Sequence, residues 1–140
     1  MYGLVLEGGG ARGAYHIGAY KALIEEGIVV RGVAGTSVGA LNGAMIAQDD
    51  FQKAYEIWNE MSYSKVIKTR EDDTSTFSGR MKEVLTDRGL DITPLKNLLV
   101  ELVDENKIRN SGKDFGIVTV SLTDFKPLEI YIEDIPEGKL

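Results

Sequence analysis

Residues 33–43 read VAGTSVGALNG, and how Ser37 sits in that run decides the fold. The run contains Gly35-Thr36-Ser37-Val38-Gly39, a G-x-S-x-G pattern that is weak alone and gains meaning from its flanks. Upstream, Val29 to Ala34 reads as the second strand. Downstream, Val38 to Gln48 is rich in Gly, Ala, Leu and Met, the composition of a helix packed tightly on a sheet. A serine between the two stands on a sharp strand-to-helix turn, its hydroxyl exposed and its neighbouring glycines relieving the crowding. The helix N-terminus beneath Ser37 favours developing negative charge. The plainer reading of the same stretch is a helix cap with small residues for packing.

Working outward, residues 7–13 read EGGGARG directly after the strand-like run Tyr2 to Leu6. Gly8, Gly10 and Gly13 satisfy the G-x-G-x-x-G spacing of a dinucleotide-binding turn, so a nucleotide-binding module is one alternative. An oxyanion hole needs the same thing: backbone N–H groups that reach an anion with no side chain in the way. If the first two strands are parallel neighbours, both loops emerge at the carboxyl edge of one sheet and face one crevice. Amides of Gly9, Gly10 and Ala11 then meet the oxygen of an ester under attack by Ser37. A dinucleotide fold would instead want an acidic residue ending the second strand, where this chain has Gly35, Thr36 and Ser37. Glu25 and Glu26 fall within the first helix and are badly placed for that task.

The surrounding pattern is strand, helix, strand, helix over the first 48 residues. Ala14 to Glu26 carries Ile17, Tyr20, Leu23 and Ile24 as a helical stripe, with Gly27 placed to end it. Asp49 or Asp50 caps a third helix to about Met61, with Phe51, Ala54, Tyr55 and Trp58 on one face and Trp58 in the core. Residues 64–80 mix charge, Ser and Thr, and read as a mobile loop, either a lid or simply disordered. Arg80 to Asp87 reads as a short helix. Thr93 and Pro94 start another, whose buried face is Leu95, Leu98, Leu99, Leu102 and Val103. Phe115 to Leu122 and Leu128 to Ile132 are strands about a turn at Asp124 to Pro127.

Composition bounds the rest. One domain fits 140 residues, and the formal net charge of −6 argues against a general nucleic-acid binder. With no cysteine, disulfides, thiolate metal sites and a cysteine nucleophile are excluded. No clustered His and carboxylate set and no oxygen-ligand loop suggests a metal, so no cofactor is expected. No stretch of about 18 apolar residues suggests a membrane span, and no basic segment with an apolar core opens the chain. The expectation is a cytoplasmic protein that meets a membrane peripherally, if at all.

The single histidine, His16, precedes Ser37 and lies just inside the first helix, so the Ser, acid, His order of an α/β-hydrolase triad is excluded within these residues. A His-first order would need His16 to leave its helix and reach Ser37, with an acid orienting it, so His16 is read as a packing or surface residue. A carboxylate is left as the base, in a serine–aspartate dyad.

The paired motifs EGGGARG and GTSVG, separated by one helix and one strand, resemble the N-terminal part of a bacterial patatin-like phospholipase. The resemblance implies a three-layer α/β/α sandwich with a mostly parallel central sheet, of which residues 1–140 form the N-terminal portion. It implies Ser37 as nucleophile, with Gly35, Thr36, Val38 and Gly39 as its elbow. It implies an oxyanion loop of Gly8, Gly9, Gly10, Ala11, Arg12 and Gly13, in which Arg12 holds the loop or attracts a lipid phosphate. Substrates would be lipid or other acyl esters. Glu7 stands where plant patatins have Asp, a harmless change. The family's catalytic aspartate belongs to an Asp-Gly-Gly or Asp-Gly-Ala motif, and this chain has no Asp followed by Gly. The expectation is that this aspartate lies beyond Leu140 and that residues 1–140 alone are inactive, a non-catalytic lipid-binding homologue being the alternative. Asp114 and Asp124 are the nearest substitutes, and both read as turn residues.

Overall fold

The computed structural model describes residues 1–66 and 93–140. Its sheet runs β1 (Tyr2–Leu6), β2 (Val30–Gly35), β3 (Asp114–Val120) and β4 (Pro127–Tyr131), in that spatial order. β1 pairs parallel with β2 and β2 with β3, while β4 returns antiparallel along β3. The sheet is therefore mostly parallel, and the ends of β1 and β2 lie side by side through the pair Leu6 and Gly35.

Alternation along the strands sorts the two faces. Leu4, Val33 and Phe115 lie on adjacent rungs and point to one face; Gly3, Gly32, Gly116 and the 83% exposed Val5 belong to the other. The first face carries α1 (Gly13–Glu25), α2 (Val38–Ala47) and α3 (Phe51–Val66), followed by α4 (Thr93–Leu102) and α5 (Glu105–Asn110). α2 is the central helix. Ile46 packs with Leu6, Tyr20, Val30 and Val33; Ala44 and Ala47 with Ile108, Phe115 and Ile132; Val38, Leu41 and Met45 with Ile17, Ile57 and Trp58. Every residue of α2 except Ala40 is buried, which is why it shows no one-sided apolar stripe.

Helix ends follow local chemistry. α1 stops in a Schellman closure: Gly27 holds φ +69, its N–H donates to Ile24 O at 3.0 Å, and Ile28 N–H donates to Leu23 O at 2.9 Å. The same closure ends α2 with Asp49 at φ +63, where Asp50 N–H reaches Met45 O at 2.9 Å. Gln48, 3% exposed, then joins α2 to the later helices: its Nε2 donates to Leu102 O at 2.7 Å, and its Oε1 accepts from Asp104 N–H at 2.9 Å.

Several expectations need correction. Ile24 and Leu99 are 46% and 38% exposed, each at the edge of its helical stripe rather than on the core line through Tyr20 or Leu102. α3 continues to Val66, five residues past its expected end, because no helix-breaking residue intervenes. α5 was not anticipated; Asp104 caps it, its Oδ1 accepting from Lys107 N–H at 3.1 Å. Asp114 begins β3 rather than occupying a turn. The rest of the expected loop at 64–80 and the expected helix at 80–87 lie outside the described residues. Trp58 is buried at 6% exposure, as its stripe requires.

Candidate active site

The turn from β2 into α2 is built on glycines because nothing larger fits. A Cβ at position 39 would stand 2.2 Å from Leu6 O and 2.6 Å from Glu7 O, and one at position 35 would stand 2.3 Å from the Gly39 carbonyl. Strand β1, the turn and the first turn of α2 thus meet backbone to backbone. Thr36 fixes the turn from two sides: its N–H donates to Leu6 O at 3.1 Å and its Oγ1 to Val118 O of β3 at 3.0 Å.

Ser37 occupies the apex with φ +54 and ψ −127, outside the regions that L-residues populate. Such a conformation costs of order 1–3 kcal/mol and persists only where its surroundings over-determine it. The result is a serine that is solvent-exposed while Val38 and Gly39 beside it are buried, at the N-terminus of a ten-residue helix.

The glycine loop lies against this apex. A Cβ at Gly8 would come within 3.3 Å of Ser37 Cβ and 3.5 Å of Thr36 O. The loop then winds through Gly9 into a single 3₁₀ turn, Gly10–Arg12, with Gly10 at φ +55. The N–H groups of Gly8, Gly9 and Gly10 donate to no acceptor among the described residues. Unpaired amides on a tight loop are free to bind an incoming oxyanion. Arg12 folds back along the loop: its Nε lies 3.1 Å from where a Cβ at Gly9 would stand, and its N–H donates to Gly9 O at 3.2 Å. Gly13 opens α1 and is packed on the elbow, since a Cβ there would stand 2.7 Å from both Val38 Cγ2 and Trp58 Cζ2. Beside the loop runs an open groove of about 760 Å³ lined by Val5, Glu7, Ala11, Arg12, Ala14, Tyr15 and His16; Ser37 is not part of its wall.

A model of the patatin-like phospholipase family matches residues 4–139. The chain belongs to that family. Among curated proteins it is similar to the neuropathy target esterase sws of Drosophila sechellia, 47% identical over 85 residues, and of Drosophila melanogaster, 46% identical over the same length. Each match covers 56% of this chain and 6% of the relative, so the chain spans a small part of those proteins. The crystal structure of VipD from Legionella pneumophila superposes with a TM-score of 0.53 and 17% sequence identity, covering 98% of this chain and 40% of that one. That likeness concerns the fold alone, and the chain has the patatin fold. The family expectation holds, whereas the narrower bacterial assignment does not follow from relatives that are insect proteins.

The candidate bases separate on geometry. Asp114 pairs with Gly32 at the start of β3, at the opposite sheet edge from Ser37. Asp124 sits in the β3–β4 turn, where hydrogen bonding from Ser121 first, and then from Lys126, holds its carboxyl below the usual carboxylate range. His16 is buried on α1, with its Nδ1 3.5 Å from Asn42 Nδ2. Among the described residues no carboxylate or imidazole is hydrogen-bonded to Ser37.

Asn42 is the residue that pattern reading passed over. It is 1% exposed, its Nδ2 donates to Gly13 O at 2.9 Å, and its Oδ1 accepts from Trp58 Nε1–H at 2.9 Å. A signal was present in ALNGAMIA: one amide side chain inside an otherwise small and apolar buried helix must find partners for both of its ends.

Proposed function

We propose that the protein is a serine acyl hydrolase acting on fatty-acyl esters of phospholipid or lysophospholipid type. Ser37 attacks the ester carbonyl, and amides of the Gly8 to Gly10 loop stabilise the tetrahedral oxyanion. An aspartate outside residues 1–140 takes the serine proton, as the second member of a Ser–Asp dyad. The observation that carries this reading is Ser37 held at φ +54 within touching distance of a loop whose glycine amides are unpaired. Family membership and the esterase named among its relatives support the reaction class. No cofactor takes part in it.

The absence of any Asp-Gly pair favours one further reading, a homologue that binds lipid without cleaving it. A fluorophosphonate probe separates the two. Labelling of the full-length protein at Ser37, lost in Ser37→Ala and missing from residues 1–140 alone, is the expected result. A folded full-length protein that takes no label sinks the hydrolase reading and leaves lipid binding. Labelling of residues 1–140 alone places the base inside them.

A further inference from the structure

The two loops of the site belong to different helices, and their separation must be set by something that joins those helices. Packing supplies closeness: Gly13 sits against Val38 and Trp58 with no room for a Cβ. Apolar packing, however, is non-directional and resists sliding of α1 along α2 only weakly. A hydrogen bond supplies direction.

Asn42 lies five residues after Ser37 on α2, and its Nδ2 donates to the carbonyl of Gly13, the last residue of the glycine loop. Its amide can face only one way. The indole of Trp58 only donates and the Gly13 carbonyl only accepts, so Oδ1 must meet Trp58 and Nδ2 must meet Gly13. At 1% exposure no water competes for either end. The bond thus ties the end of the glycine loop to the helix whose first turn carries the nucleophile.

We propose that Asn42 is a positioning residue for acyl transfer: its hydrogen bond to Gly13 sets the distance between the Gly8–Gly10 amides and Ser37. The inference rests on the Ser37 hydrolase reading. An oxyanion hole acts only at close range, and a misplacement of roughly 1 Å costs about 10²-fold in rate.

The test uses the full-length protein with Asn42→Leu, Asn42→Ser and Trp58→Phe. Leucine removes the donor and keeps the branched side-chain skeleton at a larger volume, and serine, whose hydroxyl is too short to reach Gly13, is the milder variant should leucine prevent folding. Trp58→Phe cuts the same network at its other end and removes the indole atoms that pack on Gly13 while leaving the Gly13 bond, so it separates the effect of packing from that of the bond. With a short-chain p-nitrophenyl ester, both Asn42 variants are expected to lower kcat about 10²-fold with KM within about twofold. Trp58→Phe is expected to lower Tm comparably and to keep kcat within about threefold. Amide hydrogen exchange at Gly8 to Gly13, which needs no activity, is expected to quicken selectively in the Asn42 variants. Retained kcat in Asn42→Ser, an equal kcat loss in Trp58→Phe, or unchanged exchange overturns the proposal. A wild type without Ser37-dependent turnover defeats the hydrolase reading instead, and the exchange measurement then decides the strut by itself.

Discussion

Two halves of this sheet are joined to their helices by different means. Around β1, β2 and α2, backbone meets backbone at glycines, and the site geometry follows from atoms that cannot move apart or closer. Around β3, β4 and α5, long polar side chains reach across gaps. Arg109 donates from Nη1 to Ile132 O at 2.9 Å and from Nη2 to Ile135 O at 2.6 Å, while Glu105 accepts from Gly138 N–H at 2.9 Å and Leu140 N–H at 3.2 Å. A contact without side chains has no rotamers to adjust, so the first half fixes where Ser37 and the glycine loop stand. The second half holds the chain and tolerates adjustment.

Substitution of the elbow glycines tests the comparison most severely. Gly39→Ala places a methyl 2.2 Å from Leu6 O, a carbonyl that cannot retreat without breaking the bond it accepts from Thr36 N–H. The expected loss is ~4 kcal/mol or more, read as failure to fold or a collapsed urea midpoint. A variant of near-normal stability would show that strand and elbow are not in backbone contact. At the boundary itself, where Gln48 at the end of α2 reaches the later helices, Gln48→Leu strands the Leu102 carbonyl and the Asp104 amide and is expected to cost about 2–3 kcal/mol by urea denaturation. Arg109→Ala should cost about 1–2 kcal/mol, with quickened amide exchange confined to residues 132–140. Exchange that spreads to the glycine loop would erase the distinction between the halves.

The same division explains what the sequence could and could not disclose. Short-range rules suffice where structure is made of local backbone geometry: Gly27 ends α1, GTSVG makes the elbow, and the strands are parallel because helices separate them in the chain. The proximity of the glycine loop to Ser37 followed from topology, since Leu6 and Gly35 end neighbouring parallel strands. Arg109, Glu105 and Gln48 stayed hidden because an exposed-looking charged or amide side chain carries no pattern that names a distant carbonyl as its partner. Asn42 lies between these cases: its burial could be inferred from its helix, but Gly13 and Trp58, 29 and 16 residues away, could not.

Strain at the apex allows a finer test. Ser37→Ala keeps a Cβ at φ +54, whereas Ser37→Gly removes it, so the glycine variant should be more stable than the alanine variant by about 1 kcal/mol in urea. Equal stabilities would mean that the turn relaxes at no cost and that the glycine-built half is less rigid than its contacts require.

The smallest effect belongs to the polar half and to acid. Hydrogen bonding from Arg109 holds the Glu105 carboxyl below its ordinary range, with help from the Leu140 and Gly138 amides. A carboxyl whose folded-state value is depressed contributes stability above the unfolded-state value and loses it as pH falls through the depressed one. Glu105→Gln mimics the protonated carboxyl, losing the charge and one of the two acceptor oxygens that Gly138 and Leu140 use, so its stability should fall below wild type near neutrality and converge with it in acid. The Glu105 side chain is partly exposed, and added salt should narrow the difference in part. A gap that persists at low pH would place the effect in packing rather than charge, and the C-terminal clasp would then resemble the elbow more than its polar contacts suggest.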